Sequence, residues 1–185
     1  MKSLLPLLAV LALTACAQID PGCAALPLSA RYCLQPSTDA SPFSVRQQVS
    51  ARFKGQREML IADIENRSDG LAFVGLTPFG LTVFQVAYDN RTTTAARLPD
   101  TRISPELLLG MLQLALWPAD SVRRGLGDAA KVEDGPGQRR IFIDKQLLME
   151  MRHDDTAAPY RHMQIHWPAI DMELDIRALA EQETS

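Results

Sequence analysis

The sequence lacks the short motifs that carry most recognisable catalytic chemistry. It has no Gly-x-Ser-x-Gly elbow, no glycine-rich phosphate loop and no His-Glu-x-x-His pair. The common serine-hydrolase, nucleotide-binding and zinc-protease signatures are therefore excluded. No basic block stands out: 19 Lys and Arg face 22 Asp and Glu, a formal net charge of −3. Nucleic acid is not an expected partner. No run reaches the roughly 18 apolar residues of a membrane-spanning helix. With 46% hydrophobic and 22% charged residues, disorder and collagen-like repeats are excluded as well. The 185 residues suffice for one ordinary domain. Cysteines number only three, an odd count that needs an explanation.

What is present begins with an address. Lys2 gives a short positive start, and residues 4–13 are apolar apart from Pro6. This is too short to span a bilayer and has the form of a secretory signal over residues 1–15. Leu13-Thr14-Ala15-Cys16 then resembles the bacterial lipobox, in which cleavage precedes the Cys and its thiol is acylated. The resemblance implies lipidation at Cys16. The next residue is Ala17, not the Asp that resembles an inner-membrane retention signal, which points to the outer membrane with the protein facing the periplasm. Several acyl chains hold firmly where one holds weakly. With Cys16 acylated, Cys23 and Cys33 remain. In an oxidising compartment a disulfide between them is the default, with two free thiols as the alternative.

Residues 16–42 carry Pro21, Pro27, Pro36 and Pro42 and no sustained period, which predicts a lipidated tether with a disulfide loop, mostly coil. From residue 44 the period is 2: Val45, Gln47, Val49, Ala51 and Phe53 share one face. Further strands are expected over 57–65, 71–76, 81–88 and 91–97. The turns between them are Lys54-Gly55, residues 66–70 with Gly70 at positive φ, residues 77–80 and Asp89-Asn90. The period then becomes helical. Ser104-Pro105-Glu106 has the form of a helix start, Leu107 to Ala115 follow at helical spacing, and Trp117-Pro118 ends the run. A second short helix over 119–126 has Asp120 as a candidate cap. Strands resume over 138–144, 147–153, 160–167 and 172–176, and residues 181–185 form a polar tail.

Strands, a helical insert, then strands resembles the LolA/LolB fold of periplasmic lipoprotein carriers. Leu71 to Thr82, with Thr77-Pro78-Phe79-Gly80 at its turn, resembles a LolB strand–turn–strand hairpin. The helical insert over 107–126 and Met172-Glu173-Leu174 resemble LolB segments in the same order. A closer resemblance, over nearly the whole chain after Cys16, is to uncharacterised proteobacterial lipoproteins often encoded with aryl-polyene biosynthesis genes. It rests on Leu76 to Gly80, Tyr88-Asp89 and the Leu-rich helix ending at Trp117-Pro118. The resemblance implies a mainly β (α+β) fold, a highly curved antiparallel sheet or incomplete barrel lidded by the helical insert. It covers a single LolB-like domain over residues 43–180.

Several residues invite a chemical reading. His162 and His166 are the nearest thing to a metal pair, but on a strand four residues span about 13 Å, too far for one ion. Asp63 and Glu65 share a strand face and are expected to be ordinary surface carboxylates. Asn66 and Asn90 match the glycosylation sequon and are expected to be turn asparagines. Methionines 59, 111, 149, 151, 163 and 172 all fall in expected elements, where Met fills irregular space or adapts to varied ligands.

The expected function is that of a non-enzymatic outer-membrane lipoprotein, monomeric, without cofactor or metal. It would take an acyl chain or polyene lipid from a periplasmic carrier protein and pass it to the membrane. The expected ligand cavity is lined by Val49, Phe53, Leu60, Phe84, Val86, Leu108, Met111, Leu112, Met163, Ile165 and Trp167. Phe79, between Pro78 and Gly80, is expected to project from a stiff turn as a membrane contact. The alternatives are a structural envelope lipoprotein with a filled core and an acyl-ester hydrolase, which needs a Ser–His pair.

Overall fold

The computed structural model describes residues 22–100 and 103–179. The signal segment, Cys16 and the tail over 181–185 lie outside the described residues. Within them the chain opens on a short hairpin, β1 (Cys23–Ala25) with β2 (Arg31–Cys33). A meander follows: β3 (Phe43–Phe53), β4 (Gln56–Arg67), β5 (Gly70–Leu76), β6 (Thr82–Tyr88) and β7 (Thr93–Arg97). Two helices, α1 (Pro105–Leu116) and α2 (Ala119–Leu126), lead to a second meander. Its strands are β8 (Ala130–Gly135), β9 (Gln138–Ile143), β10 (Gln146–His153), β11 (His162–Trp167) and β12 (Met172–Ala178).

The last strand pairs with β3, which joins both meanders into one ten-stranded antiparallel sheet, ordered β7-β6-β5-β4-β3-β12-β11-β10-β9-β8. Strands β7 and β8 are its edges, so the sheet is not closed. Because strand side chains alternate, the register sorts every strand into two faces. Gln47, Ala62, Gly75 and Phe84 stand in one cross-strand row, and Val49, Leu60, Ile176 and Met163 in another. These rows form the inner face. Arg46, Asp63, Val74 and Gln85 stand in a row of the outer face.

The helices cover the inner face from its two ends. Helix α1 packs on β6 and β7, and α2 packs on β8, so the pair bridges the sheet edges. As expected, Ser104 caps α1: its Oγ accepts from the Leu107 amide at 3.1 Å, with Pro105 at the first helical position. The core runs continuously through Leu71, Val86, Leu109, Leu114, Trp117, Val122, Ile141, Met149 and Trp167.

Three local expectations are corrected here, and one strand is added. Residues 22–42 are not a tether free of the domain: the segment packs on the core through Cys23, Ala24, Leu26, Tyr32 and Leu34. Tyr32 is fully buried between the helices, where an added Cβ on Gly125 would stand 2.4 Å from its ring. A large aromatic wedge in a core repays the ordering of a Pro-rich segment that shows no period of its own. Gly70 does not have positive φ; it is needed because a Cβ there would lie 2.5 Å from the Tyr88 carbonyl oxygen. Asp120 does not cap α2, whose N-cap position is Pro118; it pairs with Arg123 one turn on. Strand β8 is the added one: Lys131, Glu133 and Asp134 hide its short alternation.

The expected disulfide is present: Cys23 and Cys33 are directly opposite each other on the first hairpin and bonded. Asn66 is not a turn residue. It is buried within β4, and its Nδ2 donates to the carbonyls of Ser37, Ala40 and Ser41. Asn90 does occupy a turn, at φ 70°, and its Oδ1 accepts from the Ser37 amide at 2.7 Å. Together the two asparagines hold the segment before β3 against the sheet end.

Candidate functional site

Every strand residue expected to line a cavity lies on the inner face. They are not equally covered. Phe84, Val86, Leu112, Met163, Ile165 and Trp167 are buried. Val49, Leu60, Leu108 and Met111 are only half-buried, and Phe53 is 44% exposed. The coverage follows from the helix placement. The helices rest on the flanking strands, so the inner face of the central strands β3, β4 and β12 keeps Val49, Leu60, Met172 and Leu174 half-open.

The flanks are locked more tightly. Phe84 stacks edge-on to Phe73 with ring centroids 4.8 Å apart, and Gly75 is the space into which its ring fits. On the other flank Arg139 points inward from β9 and is almost fully buried. Its Nη1 donates to the carbonyls of Leu114, Ala115 and Trp117 at 3.0, 3.3 and 2.8 Å. These are carbonyls at the C-terminal end of α1, which otherwise lack partners and carry partial negative charge. Asp134 balances the guanidinium through a two-point pair. The sequence carries no signal for this: Arg139 and Arg140 are adjacent, and only the register separates the buried one from the exposed one.

One end of the sheet carries exposed apolar side chains. The β5–β6 turn is closed by the Thr77 amide donating to the Leu81 carbonyl at 2.8 Å and the Gly80 amide donating to the Thr77 carbonyl at 2.9 Å. At its tip Phe79 is 92% exposed, with Leu81 at 68%. The β3–β4 turn lies at the same end, since β5 and β3 run the same way on either side of β4. Lys54 and Gly55 form that turn, both at positive φ as a type I′ hairpin turn requires, and the Lys54 ammonium sits 5.2 Å from the Phe53 ring centre.

The outer face is polar. A cleft of about 740 Å³ crosses it over β4, β3, β12, β11 and β10. Of the expected cavity residues only Ile165 borders it. His162 and His166 fall on this face, four residues apart on β11, as expected. His162 Nε2 lies 3.1 Å from Asp175, which also accepts from Gln164 and Arg177. The hydrogen bond from Arg177 is the main cause that holds the Asp175 carboxyl well below the usual carboxylate range. Asp63 pairs with Arg46 and Glu65 with Arg67, so both are engaged surface carboxylates. Among the described residues no group of three or more His, Cys, Asp or Glu is placed to hold a metal ion, and no serine hydroxyl is hydrogen-bonded to a histidine.

This geometry has a family behind it. Residues 44–180, well over half of the sequence, match the proteins of unknown function called DUF3261. The chain belongs to the DUF3261 family. The match begins one residue into β3 and ends just past β12, so the DUF3261 region is the ten-stranded sheet with its helical insert. The disulfide hairpin that wedges Tyr32 under the DUF3261 helices lies before it. No curated protein matches the chain. Among the described residues no helix is long and apolar enough to cross a membrane.

Proposed function

We propose that this DUF3261 chain is a lipoprotein, anchored in the outer membrane through acylated Cys16, that binds an acyl chain and helps to place it in that membrane. The observation that carries the reading is the uneven cover of the inner face. An unclosed sheet whose helices rest on its two flanks leaves a half-open apolar strip of Val49, Leu60, Met172 and Leu174, with Leu108 and Met111 of α1 also half-buried. Burying apolar chain against such a strip is worth about 25 cal/mol per Å². The open end of the strip, at Phe53, lies at the same end of the sheet as the exposed Phe79 and Leu81. A chain leaving the strip there meets whatever surface those side chains touch. Such an arrangement is LolB-like, and a polyene of similar shape suits it equally.

Native mass spectrometry of the delipidated protein with palmitate tests the reading. A one-to-one complex is expected, and Leu60→Trp, which fills the strip, should abolish it while the protein stays folded. Absence of any complex up to the solubility of palmitate overturns it. The second reading, an assembly lipoprotein with a filled core, is favoured by the full burial of Met149, Met151 and Trp167 beneath β10 and β11, and it predicts that absence.

A further inference from the structure

We infer that the outer-face cleft is a phosphate-binding site centred on Arg52 and Arg57. The cleft lies on the opposite face from the proposed acyl-chain strip and stands or falls apart from it. Its volume, about 740 Å³, is within the usual range for small-ligand sites of roughly 300–1,000 Å³. Arg52 and Arg57 both line it and are directly opposite each other in the β3–β4 register. Like charges at directly opposed positions are destabilising, and nothing in the hairpin relieves them. Arg57 has no ion-pair partner among the described residues. Arg52 engages Glu173 through Nε and Nη2, which leaves Nη1 free.

The carboxylates that line the cleft from the outer face are already engaged. Asp175 is held by Arg177, Gln164 and His162, Glu173 by Arg52, and Glu150 by Gln138 and Arg152. Glu58 also borders the cleft, but it is an inner-face position of β4, opposite Ala51. Among the outer-face side chains of the cleft, the charge left without an ion-pair partner is therefore the second guanidinium of the opposed pair. A tetrahedral phosphate offers oxygens to two forks at once and turns their repulsion into two charge-assisted contacts; a lone carboxylate serves one fork. Met59, 47% exposed and two residues from Arg57 on the same strand face, supplies an apolar flank suited to a phosphate carried on an organic group.

The test follows the arginine Nε resonances of the full chain during titration with inorganic phosphate. Sedimentation with vesicles of phosphatidylcholine, with and without phosphatidylglycerol, runs in parallel. Saturable shifts at Arg52 and Arg57 are expected, and Arg57→Gln should weaken binding about tenfold. Because that change also removes a repulsion, the melting temperature should hold or rise. Arg91→Gln, which removes the same charge from an exposed turn, should leave binding unchanged. A response to vesicles but not to free phosphate assigns the phosphate to a lipid headgroup; the reverse assigns it to a soluble phosphate ester. No saturable shift with either probe, or equal losses in Arg57→Gln and Arg91→Gln, overturns the site.

Discussion

The hydroxyl of Tyr32 donates to Gln113 Oε1 at 3.1 Å, across 81 positions of sequence. The same oxygen accepts from the Gln35 amide at 2.8 Å, and Gln113 Nε2 returns a bond to the Gln35 carbonyl at 2.9 Å. A fully buried glutamine in a leucine-rich helix is thus satisfied by the hairpin segment that precedes the matched family region. Burial pushes the Tyr32 phenol above its ordinary value.

That shift sets an alkaline limit on stability. The unfolded chain releases the Tyr32 proton near pH 10 and the folded chain does not, so stability is whole below that pH and falls as pH rises beyond it. Tyr32→Phe should cost about 1 kcal/mol at neutral pH, since Gln113 keeps its Gln35 partners. It should also flatten the decline above pH 10. Urea unfolding at pH 7 and at several alkaline values checks both parts; an unchanged alkaline slope would place the titration elsewhere, at Tyr88 or Tyr160, which burial also raises.

Arg139 joins the end of α1 to the sheet edge, and its loss should be severe. Arg139→Met leaves helix carbonyls unpartnered and Asp134 without its counter-charge, for about 3–5 kcal/mol. Arg139→Lys should recover only part of this, because one ammonium cannot serve both the carbonyls and the two-point contact to Asp134. Equilibrium unfolding of the two variants is the measurement, and equal stability of Lys and Arg at this position would refute the capping role.

Phe79 supports nothing inside the protein, so Phe79→Glu should leave the melting temperature nearly unchanged. If the turn meets a membrane, the same variant should lose insertion into liposomes and release of bound acyl chain. A stability loss near the roughly 3 kcal/mol of a core phenylalanine would mark it as packing instead.

Cys16→Ala, placed behind an ordinary secretory signal, tests the proposed anchor alone. The Cys23–Cys33 bond and the core are untouched by the change, so the variant should fold and fractionate as a soluble periplasmic protein. Retention in the membrane fraction without detergent would contradict lipidation as the attachment.

Reducing the disulfide should loosen the Tyr32 wedge. In the chain-entropy picture a loop of this length is worth on the order of 3 kcal/mol. Cys23→Ser with Cys33→Ser should therefore lower the urea midpoint, and an unchanged midpoint would show that Tyr32 and Gln113 hold the hairpin alone.

What the sequence determined by itself is whatever a local period or a local cap encodes. Alternation from Val45 to Phe53 fixed β3 and its inner face; Ser104-Pro105 fixed the start of α1; Pro78 and Gly80 fixed a stiff turn that leaves Phe79 outside. These signals survive because neighbouring residues alone satisfy them. The tertiary structure decided what depends on partners far along the chain. Tyr32 is a wedge only because Gly110 and Gly125 leave room for its ring, and Gly70 is required only because Tyr88 passes close by. Arg139 is inside and Arg140 outside by the register of β9 against β8 and β10. The opposition of Arg52 and Arg57 could be read from a two-residue turn, but the engagement of the surrounding carboxylates could not. The pair of Glu173 with Arg52 arises where β12 closes on β3, a pairing across more than 100 residues that no short-range pattern specifies.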